Sequence, residues 1–416
     1  MVNLLLPDAP PSAASADAPA RTRWVDDGAT AADRVTSSVV RDLLHLAERG
    51  GVISLAGGLP DVSLLDRDRF QAASDAATAV TGPNGPVALQ YGPTPGLAVL
   101  REALAARLDV EPGSVAVTTG SQQALDLVAR AVVRHGDVVL TQAPAYLGAV
   151  QAFRAAGAEV VGVPGDDEGL RTEDVAGLLE AGLQPRAIYV VADHHNPTGA
   201  VMSPGRRFRL RSLADRYGFL IVEDAAYRDL HWGPPTRPLF RPGERTVHIG
   251  SSSKVLAPGL RIGWLAAPDD VLDAVLRLKQ AADLHTPTWN QMVVAHLLTD
   301  RHHAGHLERI RREYRTRAHA LHRALADRLG DRVRLTSPDG GMFLWMESLD
   351  GTDTDRLFER AIRADVAFVP GSAFAVPDLG AEPTSAVEPC RTARLSFAGH
   401  APDVLEEAGR RIADCW

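Results

Sequence analysis

Six short apolar runs, VAVTT, DVVLTQ, AIYVVAD, FLIVED, TVHIG and IGWLAA, recur between residues 115 and 270 and do most to limit how this chain can fold. Helix-periodic segments such as QQALDLVARAVVRHG and GRRFRLRSLADRYG separate them. Strands that are apolar throughout, alternating with amphipathic helices, predict an α/β unit with a mostly parallel sheet covered on both faces. At 416 residues the chain exceeds one ordinary core, so a second, smaller domain is expected. After residue 270 the texture changes. One long helical stretch over about 268–329 leads into VRLTSPDGGMFLWMES, a loop-like insert PDLGAEPTSAVEP and the strand-like TARLSFAG, the pattern of an α+β unit. The boundaries expected are a disordered Pro/Ala/Ser-rich leader over 1–23, a segment over 24–65 that joins the smaller domain, a large domain over 66–300 and a small C-terminal domain over 301–416. Within the second of these, SSVVRDLLHLAERGG reads as an amphipathic helix stopped by Gly50-Gly51.

The chain holds only two lysines, Lys254 and Lys279. Lys254 sits in SSSKVLAPGLRIGW, where three serines, a Pro-Gly turn and Arg261 surround a single amine. That composition suits an anionic phosphate lying beside a reactive lysine whose charge is suppressed by a neighbouring cation, as a pyridoxal-phosphate enzyme requires. Four other segments fit the same chemistry. In TTGSQQALDLVARAV, Ser121 and Gln122 fall at a helix N-terminus, where free N–H groups attract a phosphate, although an ordinary capped helix explains the turn as well. Asp224 ends the apolar run FLIVED, at the edge where open α/β sheets place ligands; it could hold a pyridine nitrogen protonated, with Tyr227 on the phenolic oxygen, or merely cap the next helix. Asn196, in the turn DHHNPTG, could donate to a ring oxygen. Arg394, in TARLSFAG, needs an anionic partner, either a substrate carboxylate or an internal acid.

Other classes are disfavoured. Forty-four basic against 52 acidic residues leave a net charge of −8, which gives no electrostatic case for a nucleic-acid partner. His194 and His195 have no partner at metal-ligand spacing, and His302, His303 and His306 read as a solvated helix face. No apolar run reaches the length of a membrane span, MVNLLLPDAP lacks the basic start of a signal peptide, and two cysteines suit a reducing compartment, so a cytoplasmic location is expected.

Placed in order, these segments resemble the fold-type I, pyridoxal-phosphate-dependent aminotransferases of class I/II, in the subgroup of the 2-aminoadipate and kynurenine aminotransferases and the aminotransferase-like half of MocR regulators. The similarity runs from about Ser37 onward and includes AGGLP, LQYGPTPGLAVLREALA, GSQQ, APAY, NPTG, SSSK and TARLSF. The resemblance implies a three-layer α/β/α large domain with a smaller α+β domain and a homodimer with composite active sites. It also implies pyridoxal 5′-phosphate as cofactor. Lys254 becomes the Schiff-base lysine and Asp224 the pyridinium partner, with Tyr146 stacked on the ring. Asn196 and Tyr227 fall on the ring oxygen, and Ser121, Gln122, Ser251, Ser253 and Arg261 on the phosphate. Tyr91 would reach the phosphate of the neighbouring subunit, while Gly58, Asn196 and Arg394 bind the substrate. The implied reaction moves an amino group between an L-amino acid and a 2-oxo acid, 2-oxoglutarate being the expected partner; a lyase, cyclase or oxidase of a specialised amino acid would use the same residues. The sequence departs from the family at Ala192, His195, Ser252, Ala225 and Ala226, which prompts the expectation of a specialised amino-acid pathway.

Overall fold

The computed structural model describes residues 34–35, 51–82, 85–377 and 388–416. The expected leader, the amphipathic segment up to Gly50 and most of the PDLGAEPTSAVEP insert lie outside the described residues. All six apolar runs form strands: Val115–Thr118, Val138–Ala143, Ala187–Val190, Leu220–Asp224, Thr246–Ser251 and Gly263–Ala266. They belong to one eight-stranded sheet, whose other two strands are Glu159–Asp166 and Gly169–Leu170. Those two were not expected, because Gly162, Pro164 and Gly165 interrupt the apolar pattern.

Within this sheet Val138–Ala143, Glu159–Asp166, Ala187–Val190, Leu220–Asp224 and Thr246–Ser251 run parallel to one another. Gly263–Ala266 is antiparallel and lies between Thr246–Ser251 and Val115–Thr118. Alternate residues of the central strands enter two separate cores. Val139, Ala187, Tyr189 and Val222 pack with the helices Ser121–Val132 and Leu147–Ala155. Leu140, Ile188, Val190 and Ile221 pack with the helices Thr172–Glu180 and Pro204–Tyr217. This period of two, with an apolar residue at every step, is the physical content of a sheet covered on both faces.

A second, antiparallel sheet joins Val333–Leu335, Phe343–Ser348, Thr392–Ser396 and Val369–Pro370 in that order. The short strand Ile53–Ser54 pairs in parallel with Val366–Ala367, tying the start of the described chain to this C-terminal unit. The single helix expected over 268–329 is three: Asp269–Asp283, Thr288–Thr299 and His303–Leu329. Leu284 takes a positive φ of 61° and Pro287 caps the second helix, so helical hydrogen bonding cannot run through the first break. Asp300 is extended and accepts the backbone N–H of His302, which makes the second. Of the three histidines beyond it, His302 is exposed as expected, but the other two do not form a solvated face. His303 and His306 are buried, and Nε2 of His306 donates to the carbonyl of Val255 at 2.6 Å. Spacing placed them on one side of a helix but could not say which side faces the core.

Candidate active site

The strands ending at Thr118, Ala143, Val190, Asp224 and Ser251 present their C-terminal ends along one edge of the large sheet, the edge at which open α/β sheets hold ligands. The segments that follow them carry nearly every residue singled out in the sequence. Ser251 and Ser253 are buried, and the Ser253 N–H donates to Oγ of Ser251 at 3.2 Å. Ser252, the departure without an obvious reason, is also buried. Its hydroxyl and its backbone N–H both donate to the carbonyl of Ile262, at 2.8 and 3.1 Å, fastening the lysine loop to the segment that carries Arg261.

Lys254 is half-buried and donates from Nζ to the carbonyl of Gly58 at 2.8 Å, with Nζ 5.7 Å from the centre of the Tyr227 ring. Burial, with Arg394 and Arg261 nearby, brings its amine down to about 8, against the opposing pull of Asp224. The second lysine is committed elsewhere. Lys279 is buried against Asp283 at 2.9 Å, Thr286 at 3.0 Å and Gln123 at 3.1 Å. Lys254 is therefore the available amine.

A lysine at about 8 has consequences that can be measured. Its folded-state value lies below the ordinary 10.5, so between these limits the unfolded chain binds more protons and the penalty for burying the ammonium fades as pH rises. In the cofactor-free protein, attack of Lys254 on added pyridoxal phosphate should speed up about tenfold per pH unit at acid pH and level off above a midpoint near 8. Stopped-flow absorbance at the visible band checks this; a rise continuing toward pH 10 would mark an ordinary lysine.

Arg261 takes a positive φ of 49°, which turns its side chain back over the start of the helix Ser121–Val132. There Nη2 donates to the carbonyl of Thr119 at 3.4 Å. Gly120, at φ +83°, is needed for this approach, since a Cβ there would collide with the guanidinium. The helix carries no acid in its first turn, so its free N–H groups and the guanidinium face the same space. Gln122 lies beside this terminus, donating to the carbonyl of Gly148 at 2.8 Å and accepting from the Tyr146 hydroxyl at 3.3 Å.

Asp224 and Arg394 complete the cluster. Asp224 is buried, and its Oδ1 and Oδ2 accept from the Ala226 N–H at 3.1 Å and from the Tyr189 hydroxyl at 3.0 Å. Burial pushes its carboxyl up, while those two donors pull it back. Asn196 donates to the Tyr227 oxygen at 3.2 Å and accepts from Nη1 of Arg394 at 2.8 Å. Nη2 of Arg394 donates to the carbonyl of Ala56 at 2.6 Å, its Nε is buried without a partner, and its guanidinium lies 4.3 and 4.9 Å from the ring centres of Phe343 and Phe374. Burial lowers Arg394 to about 10. Gly58 rests on the same Phe343, where a Cβ would approach the ring to 2.8 Å.

Among the described residues neither Arg261 nor Arg394 has a carboxylate partner, and no group of acids, histidines or cysteines could hold a metal ion. Two arginines, a helix N-terminus and a lysine thus surround a single acid, Asp224. The unpartnered Nε and the unopposed cations fit a ligand with two anionic ends, a phosphate and a carboxylate, better than they fit one another.

Tyr91 is not brought into this cluster. It is 79% exposed, with its ring edge against His285 at 5.6 Å. His194 and His195 are buried beside the Asn196 turn and held neutral by that burial, down to about 4 and about 3. Nδ1 of His195 lies 2.9 Å from the Thr198 hydroxyl. Sequence reasoning missed Tyr189, Phe343 and Phe374. The only trace of the first was a tyrosine inside an otherwise aliphatic strand.

The model of the family described as aminotransferase class I and II matches residues 65–412. This chain belongs to the class I and II aminotransferases. Among its relatives, the aminotransferase is 40% identical over 397 residues to the 2-aminoadipate transaminase of Thermus thermophilus, covering 94% of this chain and 96% of that protein. It is 36% identical to an aromatic-amino-acid aminotransferase of Thermococcus litoralis, over 91% of each chain. A crystal structure of the alpha-aminoadipate aminotransferase of Thermus thermophilus, complexed with N-(5′-phosphopyridoxyl)-L-leucine, superposes with a TM-score of 0.82 at 39% identity, covering 92% of this chain and 96% of that one. The aminotransferase has the fold-type I α/β architecture and uses pyridoxal 5′-phosphate to move an amino group between an amino acid and a 2-oxo acid.

Proposed function

We propose that Lys254 carries the cofactor and the proton transfer, that Asp224 partners the ring nitrogen, and that Arg394 binds the substrate α-carboxylate. The observation that carries this reading is the set of cations around Lys254 without carboxylate partners, with Asp224 the one acid among them. The bound cofactor supplies an aromatic ring that accepts the electrons released at the substrate Cα. The rest is work for the protein. Arg261, the N–H groups of Ser121 and Gln122, and the hydroxyls of Ser251 and Ser253 hold the phosphate. Tyr146 would pack against the ring. Asn196 and Tyr227 act on the ring oxygen; the Tyr227 oxygen already accepts from Asn196, so its own proton is free to be donated. Arg394 uses one N–H on Asn196 and one on Ala56, and the rest of its planar fork orients the α-carboxylate. Lys254, neutral above about pH 8, takes the proton from the substrate Cα and returns it.

Several further assignments belong to the same reading. Tyr91, exposed and remote from this cluster, reaches the phosphate site of a second copy in a homodimer with composite sites. Division into a large domain over 66–300 and a small one over 301–416, joined by the segment before residue 66, is supported by the two separate sheets and by the pairing of Ile53–Ser54 with Val366–Ala367. No helix among the described residues is long and apolar enough to cross a membrane, and the enzyme works in the cytoplasm. The amino acceptor is 2-oxoglutarate, and the donor belongs with the long acidic or aromatic amino acids named for its relatives.

A panel of amino acids with 2-oxoglutarate, read by glutamate formation, tests the donor class; turnover of 2-aminoadipate or an aromatic amino acid well above that of alanine is the expected result. Borohydride reduction and peptide mapping test the machinery. A phosphopyridoxyl group on the peptide containing Lys254 is expected, and its absence would end this reading.

A further inference from the structure

Asp224 is buried with no basic side chain at ion-pair distance among the described residues, which is a costly position for a carboxylate. Two protein donors offset that cost: the Ala226 N–H on Oδ1 and the Tyr189 hydroxyl on Oδ2. The hydroxyl is placed by the core. Tyr189 lies in the strand Ala187–Val190, is 2% exposed, and packs its ring against Phe153 with centres 6.1 Å apart. Asp224 is the hydrogen-bond partner of that hydroxyl. The other nearby tyrosines are committed differently, Tyr146 to Gln122 and Tyr227 to Asn196. Lys254 and His248 act on Asp224 only through space.

We propose that Tyr189 is a positioning residue that, by donating to Oδ2, keeps Asp224 ionised and aimed so that the shared proton stays on the pyridine nitrogen of the cofactor. This rests on the assignment of Asp224 as the ring's partner. Without the Tyr189 donor, a buried carboxylate with one remaining N–H favours its protonated form, and the nearest available proton is the one on the ring nitrogen. That proton moves from nitrogen to the Asp224 oxygen, no electrons are exchanged, and the ring becomes a neutral and poorer electron acceptor. A tyrosine achieves this without adding a charge that would compete with the lysine or the phosphate.

The test uses the holoenzyme loaded with cofactor labelled by ¹⁵N in the ring. Tyr189→Phe keeps the contact with Phe153 and removes only the hydroxyl. The ring ¹⁵N resonance is expected to move from the protonated toward the unprotonated position, and kcat to fall roughly tenfold with KM changed less than about twofold. An unchanged ring resonance overturns the proposal, even if kcat falls, because the role would then be structural. Should Tyr189→Phe fail to fold, 3-fluorotyrosine introduced at position 189 decides. Its more acidic hydroxyl is a stronger donor, so the ring resonance should move further toward that of a free pyridinium, and no movement refutes the idea. Asp224→Ala separates the two levels: a ring resonance unaffected by that change removes the assignment of Asp224 itself, whatever Tyr189 does.

Discussion

Lys254→Ala is expected to abolish measurable transamination, a loss of about 10⁴-fold or more in kcat, in a protein that still folds and still binds the cofactor without a covalent link. The size of the effect follows from the absence of a substitute. Asp224 is committed to the Ala226 N–H and the Tyr189 hydroxyl, Tyr146 is pushed up to about 12 and so stays protonated and cannot accept a proton from carbon at neutral pH, and Tyr227 is raised as well. Lys279, the other lysine, is fixed on Asp283, Gln123 and Thr286 beneath the helix Ser121–Val132. The structural cost is small, because Nζ of Lys254 meets one carbonyl, that of Gly58, and one ring face, that of Tyr227. Melting temperature and cofactor fluorescence check that the variant is folded and loaded. Retention of more than a hundredth of the activity would show that another group moves the proton.

Arg394→Ala should lower kcat/KM for amino acids by roughly 10²–10³-fold, the expected loss when one side of a buried, hydrogen-bonded charge pair is removed. Part of that loss would be structural, since Asn196 Oδ1 and the Ala56 carbonyl also lose their donor. Two measurements separate the parts. Arg394→Lys keeps the charge but not the planar fork, so it should recover only a fraction of the activity. The ratio of activity on an amino acid to activity on the corresponding amine, which lacks the α-carboxylate, should collapse toward one in Arg394→Ala and fall less far in Arg394→Lys. A ratio that stays at its original value would place the carboxylate elsewhere.

Much of this site was legible because its chemistry is local in sequence. SSSK and Arg261 lie within one loop, Asp224 and Tyr227 within one turn, and each follows an apolar run whose strand assignment the structure bears out. The six runs were readable because a strand covered on both faces is apolar at most of its positions. Glu159–Asp166 was not, because its glycines and proline hide the same burial. What a one-dimensional reading cannot see is partnership across the fold. The sequence leaves Arg394 between a substrate carboxylate and an internal acid, and the structure shows it with no acid partner among the described residues and its guanidinium against Phe343 and Phe374. Tyr189 looked like one more strand residue, since nothing near it in sequence marks which face of the sheet its hydroxyl reaches. Helical spacing gives His303 and His306 a common face, but contacts from elsewhere in the fold, Arg107 on His303 and the carbonyl of Val255 in the lysine loop on His306, decide that it is buried. Ser252 is unusual for its motif because its task is mechanical, anchoring one loop strand to another.

The hydrogen bond from Arg394 to Ala56 spans 338 residues of chain. During synthesis at about 5–20 residues per second, Ala56 therefore emerges from the ribosome roughly 17 to 70 seconds before the arginine that will grip it. In the last part of that interval, once Arg261 has been made, the nascent chain carries Lys254, Asp224 and the residues assigned to the phosphate, while the arginine assigned to the substrate carboxylate is still to come. Every residue assigned to the cofactor is therefore synthesised before the arginine assigned to the substrate carboxylate.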